Sequence, residues 1–135
     1  MIDHTSFDVK DYQQSLDFYD KTLSLLGYER LMTFEIPEAN FAGYGSKERA
    51  RPSFWISSGG NEAEAVGNAR GLHVSFVAPT VEAIQQWYQT CLDNGGTCNG
   101  QPGPRPMYHP GYYGAFVLDP NGWRIEACLH DYSAS

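Results

Sequence analysis

The chain has 135 residues, of which 41% are hydrophobic, 14% are aromatic and 19% are charged. This length suits a single domain of ordinary size, and this composition excludes an intrinsically disordered chain. The formal net charge of −7, without a cluster of Lys or Arg residues, disfavours nucleic acid as a partner.

The first half of the chain predicts a βαβββ module. Ile2–Val9 alternates in strand fashion, and Asp11 with Gln14 forms a capping-box-like start to a helix. The helix ends at Gly27, and its apolar face carries Tyr12, Leu16, Tyr19, Leu23 and Leu26. Pro, Asn and Gly residues separate three shorter predicted strands, at residues 28–34, 41–44 and 53–57.

The second half predicts the same order of elements. Leu72–Val77 is the first strand, Pro79 and Thr80 begin a helix, and residues 94–96 end it. The apolar face of this helix carries Ile84, Trp87, Cys91 and Leu92. Three further strands are predicted near Thr97 and at residues 112–118 and 123–129.

The two halves are related by a sequence repeat at an offset of 69 residues. His4–Phe7 recurs as His73–Phe76, and Phe18–Tyr19 falls on Trp87–Tyr88. A strand followed by an amphipathic helix is a common unit, so part of this agreement can arise from element type alone. We predict an α+β fold in one domain of residues 1–135, with modules near 1–58 and 70–130 and a linker at Gly59–Arg70.

Strand alternation places three candidate metal ligands on equivalent faces. His4 and His73 lie on the side of each first strand that faces away from the helix, and Glu126 lies on that side of the last strand. Two imidazoles and one carboxylate suit Fe, Mn, Zn, Ni or Co and leave coordination positions open for water or substrate. The alternative is that both histidines are ordinary hydrogen-bonded side chains and that Glu126 pairs with Arg124.

The repeat also predicts which residue of the first half corresponds to Glu126. An offset of 69 sets Ser57 opposite Glu126 and Trp55 opposite Arg124. Neither Ser57 nor Trp55 is a usual metal ligand, which disfavours a closed structural site with four ligands. The pattern therefore favours a three-ligand site with open positions, or a protein without metal.

The segment at residues 104–113 is the most distinctive loop of the chain. One interpretation is a stiff connection, because its prolines fix the backbone and its tyrosines seal the core. The other is a cleft wall, in which Tyr108, His109 and Tyr113 offer ring faces and hydrogen-bond donors. In the second interpretation, Tyr113 or His109 is the proton donor of a reaction.

Four motifs carry a likeness to a known family. They are Ile2–His4, Ser15–Tyr19 followed by Leu25–Tyr28, Gly71–Phe76, and Asp119–Gly122 leading to Ile125–Glu126. Together they resemble the glyoxalase/bleomycin-resistance/dioxygenase family, also called the vicinal oxygen chelate superfamily. The resemblance implies two paired βαβββ modules that form a curved mixed sheet around an open cleft, with the helices on the outer face. It also implies a divalent metal at positions that match His4, His73 and Glu126.

The resemblance further implies an enzyme of lyase, isomerase or dioxygenase type that acts on a small-molecule substrate with vicinal oxygens. Lactoylglutathione lyases of the family typically use four protein ligands, whereas members like the extradiol dioxygenases use His, His and Glu with Fe(II). The candidate catalytic residues are Glu126, Tyr113 and His109. The candidate substrate-binding residues are Trp55, Ser57, Ser75, Tyr108 and Arg124, with Arg105 as a further candidate for binding a carboxylate.

Two other functions stay open from the sequence. A metal-free small-molecule-binding protein of the bleomycin-resistance type would hold its ligand in the aromatic cleft, with Glu126 paired to a histidine. A structural module would use the cleft as a dimer interface. The modules can also pair within one chain or be exchanged between the chains of a homodimer.

The cysteines and the N-terminal segment predict a cytoplasmic location. Cys91, Cys98 and Cys128 are odd in number and form no CxxC pair, and the N-terminal segment lacks a secretory leader. No apolar run approaches the ~20 residues that a membrane span requires, so we expect no membrane partner.

Overall fold

The computed structural model of the chain describes residues 1–60 and 71–134. The chain forms two compact units, Met1–Gly71 and Leu72–Ser135, and the described residues of each unit build one helix and a four-stranded mixed sheet. Both units have the chain order βαβββ, which confirms the predicted fold class. Most of the predicted linker Gly59–Arg70, namely residues 61–70, lies outside the described residues.

The first unit contains four strands and one helix. Their bounds are β1 Thr5–Asp8, α1 Tyr12–Ser24, β2 Glu29–Ile36, β3 Ala39–Gly45 and β4 Phe54–Ser57. The sheet order is β1-β4-β3-β2, with β1 parallel to β4 and the other pairs antiparallel. Asp11 caps α1 as predicted, because its side chain accepts a hydrogen bond from the backbone N–H of Gln14 at 3.0 Å.

The second unit repeats this topology. Its elements are β5 His73–Val77, α2 Val81–Asp93, β6 Thr97–Pro104, β7 Tyr113–Leu118 and β8 Arg124–Leu129, in the sheet order β5-β8-β7-β6. The Thr80 side chain caps α2 by accepting a hydrogen bond from the N–H of Ala83 at 3.0 Å. Neither α1 nor α2, the helices of the described residues, is long and apolar enough to cross a membrane.

Several element boundaries differ from the sequence prediction, among them the first residues of β1 and β5 and the length of β6. The strand predicted at Ile2–Val9 begins only at Thr5, which leaves His4 just before β1. Leu72, predicted to face the helix, precedes β5 and is 47% exposed. β6 is longer than the predicted short strand and reaches Pro104, which an edge strand tolerates because a missing N–H there costs no interior ladder bond.

Each helix packs on one face of its own sheet. In the first unit, the Phe54 ring lies 5.4 Å from Phe7 and 5.0 Å from Tyr19, measured between ring centroids. The corresponding core of the second unit consists of buried Ile84, Trp87, Cys91, Ala115, Val117, Ile125 and Ala127. Burying a large apolar side chain contributes ~1.5–3 kcal/mol, so these faces hold each unit together. Alternation leaves the opposite face of each sheet available to functional side chains.

Candidate functional site

The face of the second sheet that points away from α2 is polar. Ile125 and Ala127 of β8 are buried in the core, so Glu126 and Cys128, which alternate with them, point to the opposite face. The parallel pairing of β5 with β8 sets Ser75 beside Glu126. His73, two residues before Ser75, shares this face, as the sequence predicts.

Glu126 is a buried carboxylate with two partners. Its side chain is 2% exposed, and its Oε2 lies 3.2 Å from Nε2 of His73. The hydroxyl of Tyr112 donates a hydrogen bond to the other oxygen, Oε1. Because burial of a charged group is costly unless it is paired, these two contacts explain how a strand in the core accommodates Glu126. The His73 side chain is 52% exposed, so the pair reaches solvent through the imidazole.

Tyr112 is the functional residue that the sequence analysis did not single out. Burial, followed by its hydrogen bonds to Glu126 and Cys128, raises the pKa of Tyr112 above its usual value, so the phenol stays protonated. Gly114 of β7 makes room for the contact. A Cβ atom at Gly114 would lie 3.1 Å from Oε1 of Glu126 and 3.2 Å from the Tyr112 ring.

Tyr113, the predicted proton donor, faces the helix. Its hydroxyl accepts a hydrogen bond from Nε2 of Gln85 in α2 at 3.2 Å, and its ring packs on Tyr132 at 5.0 Å. Strand alternation sends neighbouring side chains to opposite faces, so the structure gives the contact with Glu126 to Tyr112 instead. The sequence signal was the Tyr-Tyr pair itself, in which only one member can lie on the site face.

His109 belongs to a chain of hydrogen bonds that ends at Cys128. The N–H of Gly111 donates to Nδ1 of His109 at 3.1 Å, so neutral His109 donates through Nε2 to Nδ1 of His130 at 2.9 Å. Nε2 of His130 lies 3.9 Å from the Cys128 sulfur, which lies 3.2 Å from the Ser75 hydroxyl. The predicted residue Ser75 therefore contacts Cys128 directly, whereas His109 is linked to Cys128 only through His130.

The other predicted residues of the second unit lie farther out. Tyr108 is 59% exposed and packs edge-on against the Tyr112 ring at 5.1 Å. Arg124 begins β8 and is exposed. The Arg105 guanidinium donates to the carbonyl groups of Gln101, Gly103 and Pro104 and lies over the Phe116 ring at 5.5 Å. These contacts give Arg105 a structural role.

The first unit presents an aromatic pocket on the corresponding sheet face. Its volume is about 500 Å³, within the usual range for small-molecule sites. The residues that define it include His4, Phe34, Phe41, Arg51, Trp55 and Ser57. The predicted substrate-binding residues Trp55 and Ser57 thus line one cavity, and the predicted metal ligand His4 also lines it.

His4 is held by its neighbour Asp3. Nδ1 of His4 lies 2.7 Å from Oδ1 of Asp3, which leaves Nε2 for another partner. This hydrogen bond is the largest of the causes that lower the pKa of Asp3. A carboxylate on one ring nitrogen orients a histidine and raises its basicity at the other, as in many metal sites. Across residues 1–60 and 71–134, no group of three or more His, Cys, Asp or Glu side chains is clustered as a metal site.

The strand registers change the predicted counterpart of Glu126. Ser6 of β1 pairs with Trp55, and its repeat partner Ser75 pairs with Glu126. The offset is therefore 69 residues in the first strands and helices but 71 in the last strands. Trp55, rather than Ser57, occupies the position of Glu126 in the first unit.

The distance between His73 and Glu126 fits a shared metal ion. Protein nitrogen and oxygen ligands lie about 2.0–2.2 Å from Zn²⁺, so neighbouring ligands of one ion are separated by roughly 3.0–3.5 Å. The 3.2 Å between Nε2 of His73 and Oε2 of Glu126 falls within that interval. One imidazole and one carboxylate are also donors that divalent metals commonly use.

Three comparisons with known proteins give consistent findings. A family model described as Glyoxalase/Bleomycin resistance protein/Dioxygenase superfamily matches residues 1–127. The chain is 34% identical over 130 residues to a lactoylglutathione lyase of Escherichia coli, across 91% of this chain and 87% of that protein. It is 31% identical to a probable lactoylglutathione lyase of Synechocystis, across 91% of this chain and 90% of that protein.

Solved structures share the fold. A glyoxalase/bleomycin resistance protein from Albidiferax ferrireducens matches with a TM-score of 0.67 and 24% identity, over 93% of this chain and 95% of that chain. Glyoxalase I from Zea mays matches with a TM-score of 0.69 and 18% identity, over 95% of this chain and 45% of that chain. At these identities the likeness concerns the fold alone.

Proposed function

We propose a metal-dependent enzymatic function for this chain, which belongs to the glyoxalase/bleomycin resistance protein/dioxygenase superfamily. The substrate is a small molecule with two adjacent oxygens. One observation supports this function above the others: Glu126 is 2% exposed, yet its carboxylate lies 3.2 Å from an imidazole that reaches solvent. Active sites are where such buried and paired ionisable groups concentrate.

His73 and Glu126 would be two ligands of the metal, and His4 would be the third. The sequence repeat, which aligns His4 with His73, supports this third ligand. Asp3 would orient His4 by holding its Nδ1. A bound divalent metal would supply Lewis-acid polarisation of the substrate oxygens.

Tyr112 would orient the Glu126 carboxylate and keep a proton beside it. Its hydroxyl donates a hydrogen bond to Oε1 and, like any phenol whose pKa is not lowered, carries its proton at neutral pH. Tyr112 takes the role that the sequence analysis gave to Tyr113 or His109. His109 would act only indirectly, through His130 and Cys128.

The reaction class follows from the relatives and from one substitution. Relatives named lactoylglutathione lyase support a lyase or isomerase reaction. Trp55 stands at the position of Glu126 in the first unit, so the chain has no second carboxylate at that position. We therefore propose a three-ligand enzyme whose substrate differs from the hemithioacetal of glutathione.

Metal affinity tests this function. Competition with a chromogenic chelator is expected to show one divalent ion bound per chain, and Glu126→Gln is expected to weaken binding at least about 100-fold, because it removes a ligand charge. The matched control is Glu82→Gln, which removes an exposed carboxylate from α2 of the same unit. Equal affinity of Glu126→Gln and Glu82→Gln would contradict a metal site at Glu126.

A second candidate is a metal-free small-molecule-binding protein, which the aromatic pocket of the first unit favours. In that case Glu126 is only the hydrogen-bonding partner of His73 and Tyr112. Ligand affinity would then be the same in metal-loaded and chelator-treated protein, and His73→Ala would leave it unchanged. A metal-dependent enzyme would instead lose turnover in the chelator-treated protein and in His73→Ala.

A further inference from the structure

The pocket of the first unit has a wall of ordered aromatic rings. Phe34 and Phe41 stack with their centroids 4.6 Å apart and an angle of 11° between their planes. The Trp55 ring meets Phe34 edge-on at 5.7 Å. Phe34 nevertheless remains 46% exposed, and the Met32 side chain beside it is 50% exposed. An apolar surface that is ordered but open is characteristic of a binding site.

Gly43 is required for the position of the Trp55 ring. The two residues pair across β3 and β4 on the same face. A Cβ atom at Gly43 would lie 2.8 Å from Cη2 of Trp55 and 2.7 Å from Cβ of Pro52, which are distances that no side chain tolerates. The glycine therefore lets the indole lie close against β3, where it forms the base of the pocket.

One guanidinium, that of Arg51, lies at the pocket in a protein whose net charge is −7. Arg51 lines the pocket together with Asp3 and His4. A guanidinium beside aromatic rings is suited to a carboxylate, which it can bind through two parallel hydrogen bonds.

We propose that this pocket binds a flat aromatic ring that bears a carboxylate. The ring packs against Phe34 and Trp55, and the carboxylate pairs with Arg51. Asp3 lines the same pocket, and its negative charge opposes the binding of a carboxylate there. That such a ligand is a substrate rests on the proposed enzymatic function. The binding itself requires no metal.

Three probes of similar size separate the contributions of ring and charge. Benzoate has both features, cyclohexanecarboxylate keeps the charge without a flat ring, and benzyl alcohol keeps the ring without the charge. Affinities are measured by NMR titration of the Trp55 indole signal in chelator-treated protein. Benzoate is expected to bind at least about tenfold more tightly than either of the others, which corresponds to ~1.4 kcal/mol. Equal affinity of the three probes would overturn the proposal.

Two arginines of one loop provide matched variants. Arg51→Gln is expected to weaken benzoate binding at least about tenfold and to leave benzyl alcohol binding unchanged. Arg49→Gln removes the same charge from outside the pocket lining, and its effect is expected to be less than about threefold. Equal losses in the two variants would show general charge attraction and would overturn the assignment to Arg51.

Asp3→Asn gives a change of the opposite sign. Removal of the competing carboxylate is expected to tighten benzoate binding by about threefold, whereas an unchanged or weaker affinity would contradict the proposed position of the ligand carboxylate. Because all these measurements use metal-free protein, the two proposals fail separately. Benzoate binding without metal affinity would remove only the metal site, and metal affinity without benzoate selectivity would remove only this inference.

Discussion

The two units have the same topology and opposite chemistry on their site faces. In the first, the position that pairs with Ser6 is Trp55, and it lies against Phe34 in an aromatic pocket. In the second, the position that pairs with Ser75 is Glu126, a buried carboxylate. The backbone fixes where each side chain lies, and the residue at this one equivalent position decides whether the face carries an aromatic ring or a buried carboxylate.

Glycine makes each of these faces possible, at different positions. Gly43 pairs with Trp55 and admits the indole, whereas Gly114 makes room for Glu126 and Tyr112. Phe116, which pairs with Glu126, takes the place that Gly43 has in the first unit. Each glycine therefore leaves space for the large or charged side chain of its own face, which is Trp55 in the first unit and Glu126 in the second.

The largest expected effect comes from making the second face apolar. Glu126→Leu removes the carboxylate from His73 and Tyr112, so we expect metal affinity to fall more than about 100-fold. The unfolding free energy is expected to change by less than about 2 kcal/mol, because a buried charge is lost together with its partners' contacts. Chelator competition and urea unfolding measure the two quantities, and retained metal affinity would contradict the assignment.

Tyr112 and Tyr113 are neighbours whose side chains lie on opposite faces of the second sheet, so one substitution at each separates the two faces. Tyr112→Phe is expected to lower metal affinity by about tenfold, because it removes the hydrogen bond that orients the ligand carboxylate. Tyr113→Phe is expected to cost about 1 kcal/mol of unfolding free energy, through loss of the Gln85 contact, and to leave metal affinity unchanged. The reverse result in calorimetric titration would assign the role to Tyr113.

A smaller effect is expected when the first face is given the carboxylate of the second. Trp55→Glu places an acid at the position equivalent to Glu126. Metal affinity is expected to increase by about fivefold, because a fourth ligand charge becomes available. Benzoate binding is expected to disappear from the same protein. Unchanged metal affinity in chelator competition would show that this position does not serve the metal.

The smallest effect concerns stability at alkaline pH. Burial raises the pKa of Tyr44 and of Tyr112 in the folded chain above the value of ~10 in unfolded peptides. Their contribution to stability is present below pH ~10 and is lost as the pH rises above it, since the unfolded phenols then release protons first. The unfolding free energy is expected to decrease above that pH, and Tyr112→Phe is expected to decrease it less steeply. A steeper decrease in Tyr112→Phe would contradict a raised pKa of Tyr112 in the folded chain.

The helices were predictable because their signals are local. The side chains of Asp11 and Thr80 cap the helices by accepting hydrogen bonds from N–H groups three residues later. Asp119 stabilises the turn at residues 119–122 by a similar local hydrogen bond. The order of elements along the chain, βαβββ, was predictable from the alternation of apolar residues and from the turn residues. The ends of β1 and β6 did not, because pairing with a distant strand determines them.

The site was only partly predictable for the same reason. The shared face of His73 and Glu126 followed from alternation within single strands. The equivalence of Trp55 with Glu126 depends on the registers of β4 and β8. Between the end of its helix and this position, the second unit has two more residues than the first, so the offset of the repeat changes there. The choice of Tyr112 over Tyr113 depends on the exact start of β7, which the sequence pattern leaves undetermined by one residue.

The nitrogen NMR spectrum of the four histidine rings, recorded before and after addition of one equivalent of Zn²⁺, tests the proposed metal site. The chain contains only His4, His73, His109 and His130, so every ring serves as a probe or a control. We predict that the ring nitrogens of His4 and His73 shift, whereas those of His109 and His130, which bond to each other, do not. An unshifted His73, or shifts confined to His109 and His130, would contradict a metal site at Glu126.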